Sequence, residues 1–69
     1  MKRDLSPREL EVAMLIAQGL LNKEISRKLN ITVHTVKRFI SLIFEKTGCR
    51  NRVELAIKYH YLTDLGVGI

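Results

Sequence analysis

The chain has 69 residues, 46% of them hydrophobic, with a net charge of +5 and a pI of about 9.8, which fits one domain over residues 1–69. One cysteine, and two histidines that lie 26 positions apart, exclude an intrachain disulfide and a zinc site, so we predict no metal and no cofactor. The sequence lacks the apolar stretch of a signal peptide and the roughly 20-residue apolar run of a membrane-spanning helix, which predicts a cytoplasmic protein with no membrane partner.

The first two predicted helices lie between recognisable start and stop signals. The segment SPRE at positions 6–9 is a strong helix start, because its serine can cap, its proline fits the first turn and its glutamate completes a capping box. This helix is predicted over 7–18, with Gly19 available for a left-handed stop. The second helix is predicted over 22–29, and a short turn follows it at Asn30.

The third helix is predicted over 33–47, between a cap candidate at Thr32 and a stop at Gly48. Its apolar positions repeat with the helical period and are predicted to pack inward: Val36, Ile40, Ile43 and Phe44. The opposite face is polar throughout and is predicted to be exposed: His34, Lys37, Arg38, Ser41 and Glu45.

The fourth helix is predicted over 52–62, where Asn51 and Glu54 resemble a capping box, and residues 63–69 are predicted to form a loose tail. This helix has two apolar arcs, of which one should face the core. The other is left exposed unless it meets a partner. The predicted fold class is therefore all-α, a four-helix helix-turn-helix domain with a core over about 5–62 and no strand.

The surplus charge is concentrated on the helix-turn-helix pattern. Residues 22–52 hold eight basic side chains and two acidic ones, a net charge of +6, whereas the segment before them is neutral and the segment after them carries −1. Charge confined to one compact motif favours a polyanion as the partner. An α-helix fits the major groove of DNA, where every base pair presents its own pattern of donors and acceptors.

The outward face of the third helix supplies the candidate base-reading residues. Lysine and arginine can donate to guanine O6 and N7, and serine can donate or accept, so Lys37, Arg38 and Ser41 are predicted to read bases. His34 is a further candidate at the helix start, with an ordinary exposed histidine as the alternative. The candidate phosphate contacts from this pattern are cations of the second helix and hydroxyls at the start of the third: Lys23, Lys28, Thr32 and Thr35.

Three segments closely resemble the LuxR-type (GerE-type) DNA-binding domain: LSPRELEV, AQGLLNKEISRKLNITVHTVK and EKTGCRNRVELA. The resemblance extends from Leu5 to about Leu62. It implies a bacterial transcription regulator at the nucleoid, with the third helix in the major groove and a homodimer on an imperfect inverted repeat of double-stranded DNA. RNA polymerase is a further candidate partner. Family members usually carry an N-terminal regulatory half, so the sequence is either a stand-alone regulator of the GerE kind or an excised domain.

Carried over by motif, the resemblance adds Asn22 and Lys46 to the positions near phosphates. In the fourth helix it assigns four residues to the core: Leu55, Ala56, Tyr59 and Leu62. The other arc is then the predicted dimer face: Val53, Ile57, His60 and Tyr61. As the alternative, the tail residues 65–69 fold back and cover that arc.

The chain departs from the family pattern at three positions that affect the predicted structure. Leu21 replaces a serine or threonine, so the cap of the second helix falls to Asn22 or is weaker. Phe39 replaces a histidine beside the groove, and Thr47 replaces a leucine of the core.

Three other functions are alternatives to the dimeric regulator. The promoter-reading domain of a sigma factor shares much of the pattern and binds as a monomer, but the NKEI stretch and the G-x-x-x-R pattern before the fourth helix favour the regulator. A helical protein-interaction module would need the polar face of the third helix to be accidental. No enzyme is predicted, because the sequence has no carboxylate pair, activated nucleophile or phosphate-binding glycine loop.

Overall fold

The computed structural model describes the backbone of residues 4–64 and the side chains of residues 4–61. Within residues 4–64 it has no strand and contains four helices, α1 (Pro7–Ala17), α2 (Asn22–Leu29), α3 (Val33–Thr47) and α4 (Arg52–Asp64). The predicted all-α, four-helix fold is confirmed. The approximate predicted bounds agree with the structure to within two residues: α1 ends one residue earlier than predicted, and α4 continues two residues beyond its predicted end. Residues 65–69, which were predicted to be loose, lie outside the described residues.

Side-chain caps begin α1 and α3 as predicted. The Ser6 hydroxyl accepts the Glu9 backbone N–H at 3.2 Å, and Glu9 Oε1 accepts the Ser6 N–H at 2.8 Å, which completes the capping box. At the start of α3, Thr32 Oγ1 accepts the backbone N–H of Thr35 at 3.1 Å. Both caps satisfy backbone donors that a helix start otherwise leaves without a partner.

The starts of α2 and α4 differ in part from the prediction. Leu21, not Asn22, is the N-cap residue of α2, and its hydrocarbon side chain accepts no hydrogen bond, although Glu24 Oε1 accepts the Leu21 N–H at 2.7 Å. At α4, the Asn51 side chain caps the Glu54 N–H at 2.9 Å as predicted. The Glu54 carboxylate, however, accepts the backbone N–H of the residue before the cap, at 3.0 Å, instead of closing the box on Asn51.

The turn between α2 and α3 has the predicted left-handed residue. Asn30 has φ 57° and ψ 47°, a conformation that asparagine adopts more readily than most residues. The N–H of Ile31 then donates to the carbonyl of Ser26 at 3.0 Å, which ties the turn back to α2. This short, hydrogen-bonded turn sets the angle at which α3 leaves α2.

The core surrounds α1, which packs against α4, α3 and α2. Every residue from Val12 to Ile16 is buried, as expected for an apolar stretch whose periodicity does not distinguish one face. Thr47 is also buried, and its hydroxyl accepts the Cys49 N–H at 3.2 Å, so the threonine at the expected leucine position keeps a partner. The central cluster draws on all four helices: Val12, Ala13, Leu15, Ile16, Ile25, Val36, Ile40, Ile43, Leu55 and Tyr59.

Within the described part of the chain, no helix has the length and hydropathy needed to cross a bilayer. The same residues contain no group of three or more histidine, cysteine or carboxylate side chains suited to a metal ion.

Candidate nucleic-acid interface

The outward face of α3 is exposed along its length. Packing of Val36, Ile40 and Ile43 into the core turns the opposite side of the 15-residue helix to solvent. A helix of this length is ~22 Å long, enough to lie across a major groove. The exposed face holds every polar residue that was predicted for it: His34, Lys37, Arg38, Ser41 and Glu45.

The start of α3 is arranged to contact an anion. Thr32 is exposed and Thr35 is half-buried, and their hydroxyl oxygens lie 3.0 Å apart. The positive end of the helix dipole is at this terminus, and the first backbone N–H groups of any α-helix have no partner within the helix. The Thr35 N–H is already bonded to Thr32, so the threonine hydroxyls and the earlier N–H groups of the helix are the donors at this end of the exposed face that suit a phosphate oxygen.

Two lysines of α2, Lys23 and Lys28, are exposed as predicted. Asn22 is half-buried, and its side-chain oxygen accepts from the Arg52 guanidinium at 2.6 Å. Arg52 also donates to the Leu20 carbonyl at 2.6 Å. The amide oxygen of Asn22 is thus engaged inside the protein, and the amide NH₂ group is the part of Asn22 suited to donate to a phosphate.

Arg52 was not among the residues predicted for the site. Its partners are 30 and 32 residues away along the chain, so no local pattern indicates the contact. One signal was present in the sequence. Arg52 is a cation in the first turn of a helix, where the helix dipole disfavours positive charge, so its presence there indicates a stabilising contact elsewhere in the fold.

Lys46, in the last turn of α3, forms an ion pair within the protein. Its ammonium donates to Glu9 Oε1 at 2.8 Å, and the two side chains are 19% and 5% exposed. This hydrogen bond and the one from the Ser6 N–H hold the pKa of the Glu9 carboxyl below its ordinary value of 4.5. Lys46 therefore joins the last turn of α3 to the first turn of α1.

The remaining cations of α2 and α3 give this side of the molecule its positive charge. The ion pairs that join described residues are Arg8–Glu11, Glu9–Lys46 and Arg50–Glu54. None of them involves the exposed cations of α2 and of the α3 face: Lys23, Arg27, Lys28, Lys37 and Arg38. The positive potential of these side chains is thus not reduced by a neighbouring carboxylate in an ion pair.

The inward and outward arcs of α4 agree with the prediction as far as its side chains are described. Leu55 and Tyr59 are buried and Ala56 packs against the core, whereas the side chain of Leu62 lies outside the described residues. The opposite arc holds apolar side chains that are more than half exposed, together with the exposed His60: Val53 at 68%, Ile57 at 71% and Tyr61 at 56%.

Two consecutive helices joined by a tight turn, the second with an exposed polar and basic face, place this protein in the helix-turn-helix class. The family model for bacterial regulatory proteins of the luxR family matches residues 3–59, and the chain belongs to that family. The resemblance seen in the sequence is confirmed.

Curated relatives include three regulators of similar sequence. The chain is 46% identical over 59 residues to the probable transcriptional regulator ycf29 of Cyanophora paradoxa, covering 86% of this chain and 28% of the relative. Response regulator Rre1 of Synechocystis is 46% identical over 54 residues, covering 78% and 23%. The nitrate/nitrite response regulator protein NarL of Escherichia coli is 46% identical over 56 residues, covering 81% and 26%. The chain thus spans about a quarter of the length of these relatives.

Proposed function

We propose that this chain binds double-stranded DNA sequence-specifically, as the DNA-reading part of a bacterial transcription regulator, with α3 in the major groove. One observation carries the proposal: Lys37, Arg38 and Ser41 lie together on an exposed helix face. His34 extends the same face toward the start of the helix. Each good bidentate contact from such a side chain to a base contributes about 1–3 kcal/mol of discrimination against the wrong base.

The proposed phosphate contacts lie on α2 and at the start of α3: Asn22, Lys23, Lys28, Thr32 and Thr35. They orient the domain on the duplex without reading its sequence, because phosphates are the same at every step. Lys46 was also predicted near a phosphate, and that assignment stays a prediction. Because its ammonium is bonded to Glu9, a phosphate contact would require Lys46 to be shared between the two anions.

We further propose a homodimer on an imperfect inverted repeat, joined through the exposed arc of α4: Val53, Ile57, His60 and Tyr61. The support is the large exposure of the apolar members of this arc, since a small domain rarely leaves such a stripe uncovered. The two copies of α3 would then read half-sites about one helical turn apart, ~34–36 Å. RNA polymerase is a further proposed partner of the assembled regulator, and the nucleoid is its proposed location.

Selection of bound sites from a random pool of double-stranded DNA tests the proposal. A motif with two-fold symmetry is the expected result, because a dimer presents α3 twice. A single asymmetric element would instead favour the monomeric, sigma-type reading of promoters. A pool with no enriched sequence would contradict base reading and leave the helical interaction module as the better assignment.

A further inference from the structure

We propose that an apolar depression beside the base-reading face of α3 receives the C5 methyl group of a thymine, and that Leu42 selects this base. The depression has a volume of about 180 Å³ and is lined by Thr35, Arg38, Phe39 and Leu42. The proposal rests on the proposed DNA-binding function and specifies one base that this surface recognises.

The position of Leu42 places it at the edge of the reading face. Leu42 follows Arg38 by four residues and Thr35 by seven, so the three lie on neighbouring turns of one side of α3. Its side chain is 42% exposed, whereas Val36, Ile40 and Ile43 of the same helix are in the core and Phe39 and Phe44 pack against it. Leu42 thus lies between a base-reading candidate, Arg38, and a candidate phosphate contact, Thr35, where a DNA groove can supply an apolar partner.

The chemistry of the lining matches a methyl group attached to a polar base. Phe39 and Leu42 contribute hydrocarbon surface, and Thr35 adds a methyl group beside its hydroxyl. Arg38 brings a guanidinium to the rim, where it can bond to the neighbouring base or phosphate. Among the four bases only thymine carries a methyl group on its major-groove edge.

The charge around the depression favours DNA over an apolar protein surface as the occupant. Lys37 and Arg38 are exposed on the adjoining face, and the Thr35 end of the depression lies at the positive terminus of α3. An apolar protein partner would have to remove these charges from water without compensation. DNA supplies phosphates that neutralise the charges of Lys37 and Arg38, and at thymine it supplies a methyl group that can contact the hydrocarbon surface of the depression.

The test replaces thymine by uracil, which lacks only the methyl group. In a duplex taken from the selected sites, each thymine is changed in turn to deoxyuridine, and the dissociation constant of the wild-type protein is measured. At one position in each half-site, the protein is expected to bind the thymine duplex about fourfold more tightly than the deoxyuridine duplex. This ratio corresponds to the burial of one methylene-sized group. At that position Leu42→Ala should bring the thymine-to-uracil ratio close to one.

Two controls separate loss of the methyl contact from other effects. Lys37→Ala should relax a different position of the site and keep the thymine-to-uracil ratio. Leu42→Gln retains the length of the side chain but not its apolar character, and it should lose the ratio as Leu42→Ala does. Thermal unfolding of each variant shows that the domain remains folded.

Equal affinity for thymine and uracil at every position would overturn the inference while leaving the proposed function intact. The same holds if Leu42→Ala weakens binding to both duplexes equally and preserves the ratio. If the wild-type protein selects no sequence at all, the proposed function fails first, and this inference fails with it.

Discussion

Glu9 and Lys46 form the ion pair that connects the start of α1 to the end of α3. The carboxylate of Glu9 accepts from two donors, the Ser6 N–H and the Lys46 ammonium, each at 2.8 Å. The capping-box role of Glu9 could be predicted from the spacing SPRE, whereas the contact with Lys46 could not, because 37 residues separate the partners. A helix-capping carboxylate therefore also holds the far end of the proposed reading helix against the core.

We expect Glu9→Gln to lower the free energy of unfolding at pH 7 by about 1–2 kcal/mol, since glutamine keeps an acceptor for Ser6 but loses the charge that faces Lys46. The folded-state pKa of Glu9 lies below its ordinary value of 4.5, so its contribution is complete above pH 4.5 and is lost as the pH falls through the folded-state pKa. Urea denaturation from pH 7 to pH 3 should show the difference between wild type and variant shrinking in acid.

Glu11→Gln is the matched control, because Glu11 pairs with Arg8 on the surface, where both side chains are about half exposed. This substitution should change stability little at any pH, since exposed pairs are screened by solvent. A Glu9→Gln difference that stays constant down to pH 3 would contradict the assigned role of the pair.

The base-reading and phosphate-contacting residues are expected to respond differently to substitution. Arg38→Ala or Lys37→Ala should relax the base preference at one position of each half-site, at a cost of about 1–3 kcal/mol on the preferred sequence. Lys23→Ala should weaken binding to preferred and random duplexes alike and reduce the slope of log affinity against log salt by about one. Titrations of both duplexes at several salt concentrations measure the two effects, and equal losses on both duplexes for all three variants would refute the assignment.

At the scale of the helix, α2 begins without a side-chain cap. Leu21 has the extended backbone of an N-cap residue, with φ −78° and ψ 158°, and Glu24 already accepts its N–H. Leu21→Ser would supply the missing acceptor and is expected to raise the free energy of unfolding by about 1 kcal/mol. Chemical denaturation checks the change, with Leu21→Ala as the control that removes the leucine without adding an acceptor; equal stability of the two variants would disprove the cap.

The four helices differ in how much of their packing the sequence reveals. For α3, apolar residues repeat with the helical period, so the buried and exposed faces could both be predicted. In α1 the run VAMLIA is apolar on all sides, and only the surrounding helices show that residues 12 to 16 are all buried. The two apolar arcs of α4 were separated by resemblance to a family, because periodicity alone does not choose between them.

At the scale of the whole molecule, Arg52 connects the two surfaces that the proposed function requires. From the first turn of α4 its guanidinium donates to Asn22 and to the Leu20 carbonyl, both at 2.6 Å. The helix with the proposed dimer face is thereby bonded to the N-terminus of α2, which holds proposed phosphate contacts. Because a planar guanidinium serves two acceptors at once, a lysine at this position would not reproduce the connection.

The exposed apolar arc of α4 is the proposed contact between two copies of the chain. Ile57 is 71% exposed at the middle of the apolar arc, so Ile57→Asp should leave the fold intact and place a charge in the centre of the proposed contact. On a duplex with an inverted repeat, analytical ultracentrifugation should find two wild-type chains per duplex, and the variant should bind much more weakly and without cooperativity. Leu21→Asp adds the same charge at a leucine that is 67% exposed outside α4, and it should keep two chains per duplex with the wild-type cooperativity, even if a charge beside Asn22 and Lys23 lowers the affinity. Two chains bound with unchanged cooperativity by Ile57→Asp would exclude this arc as the contact between copies.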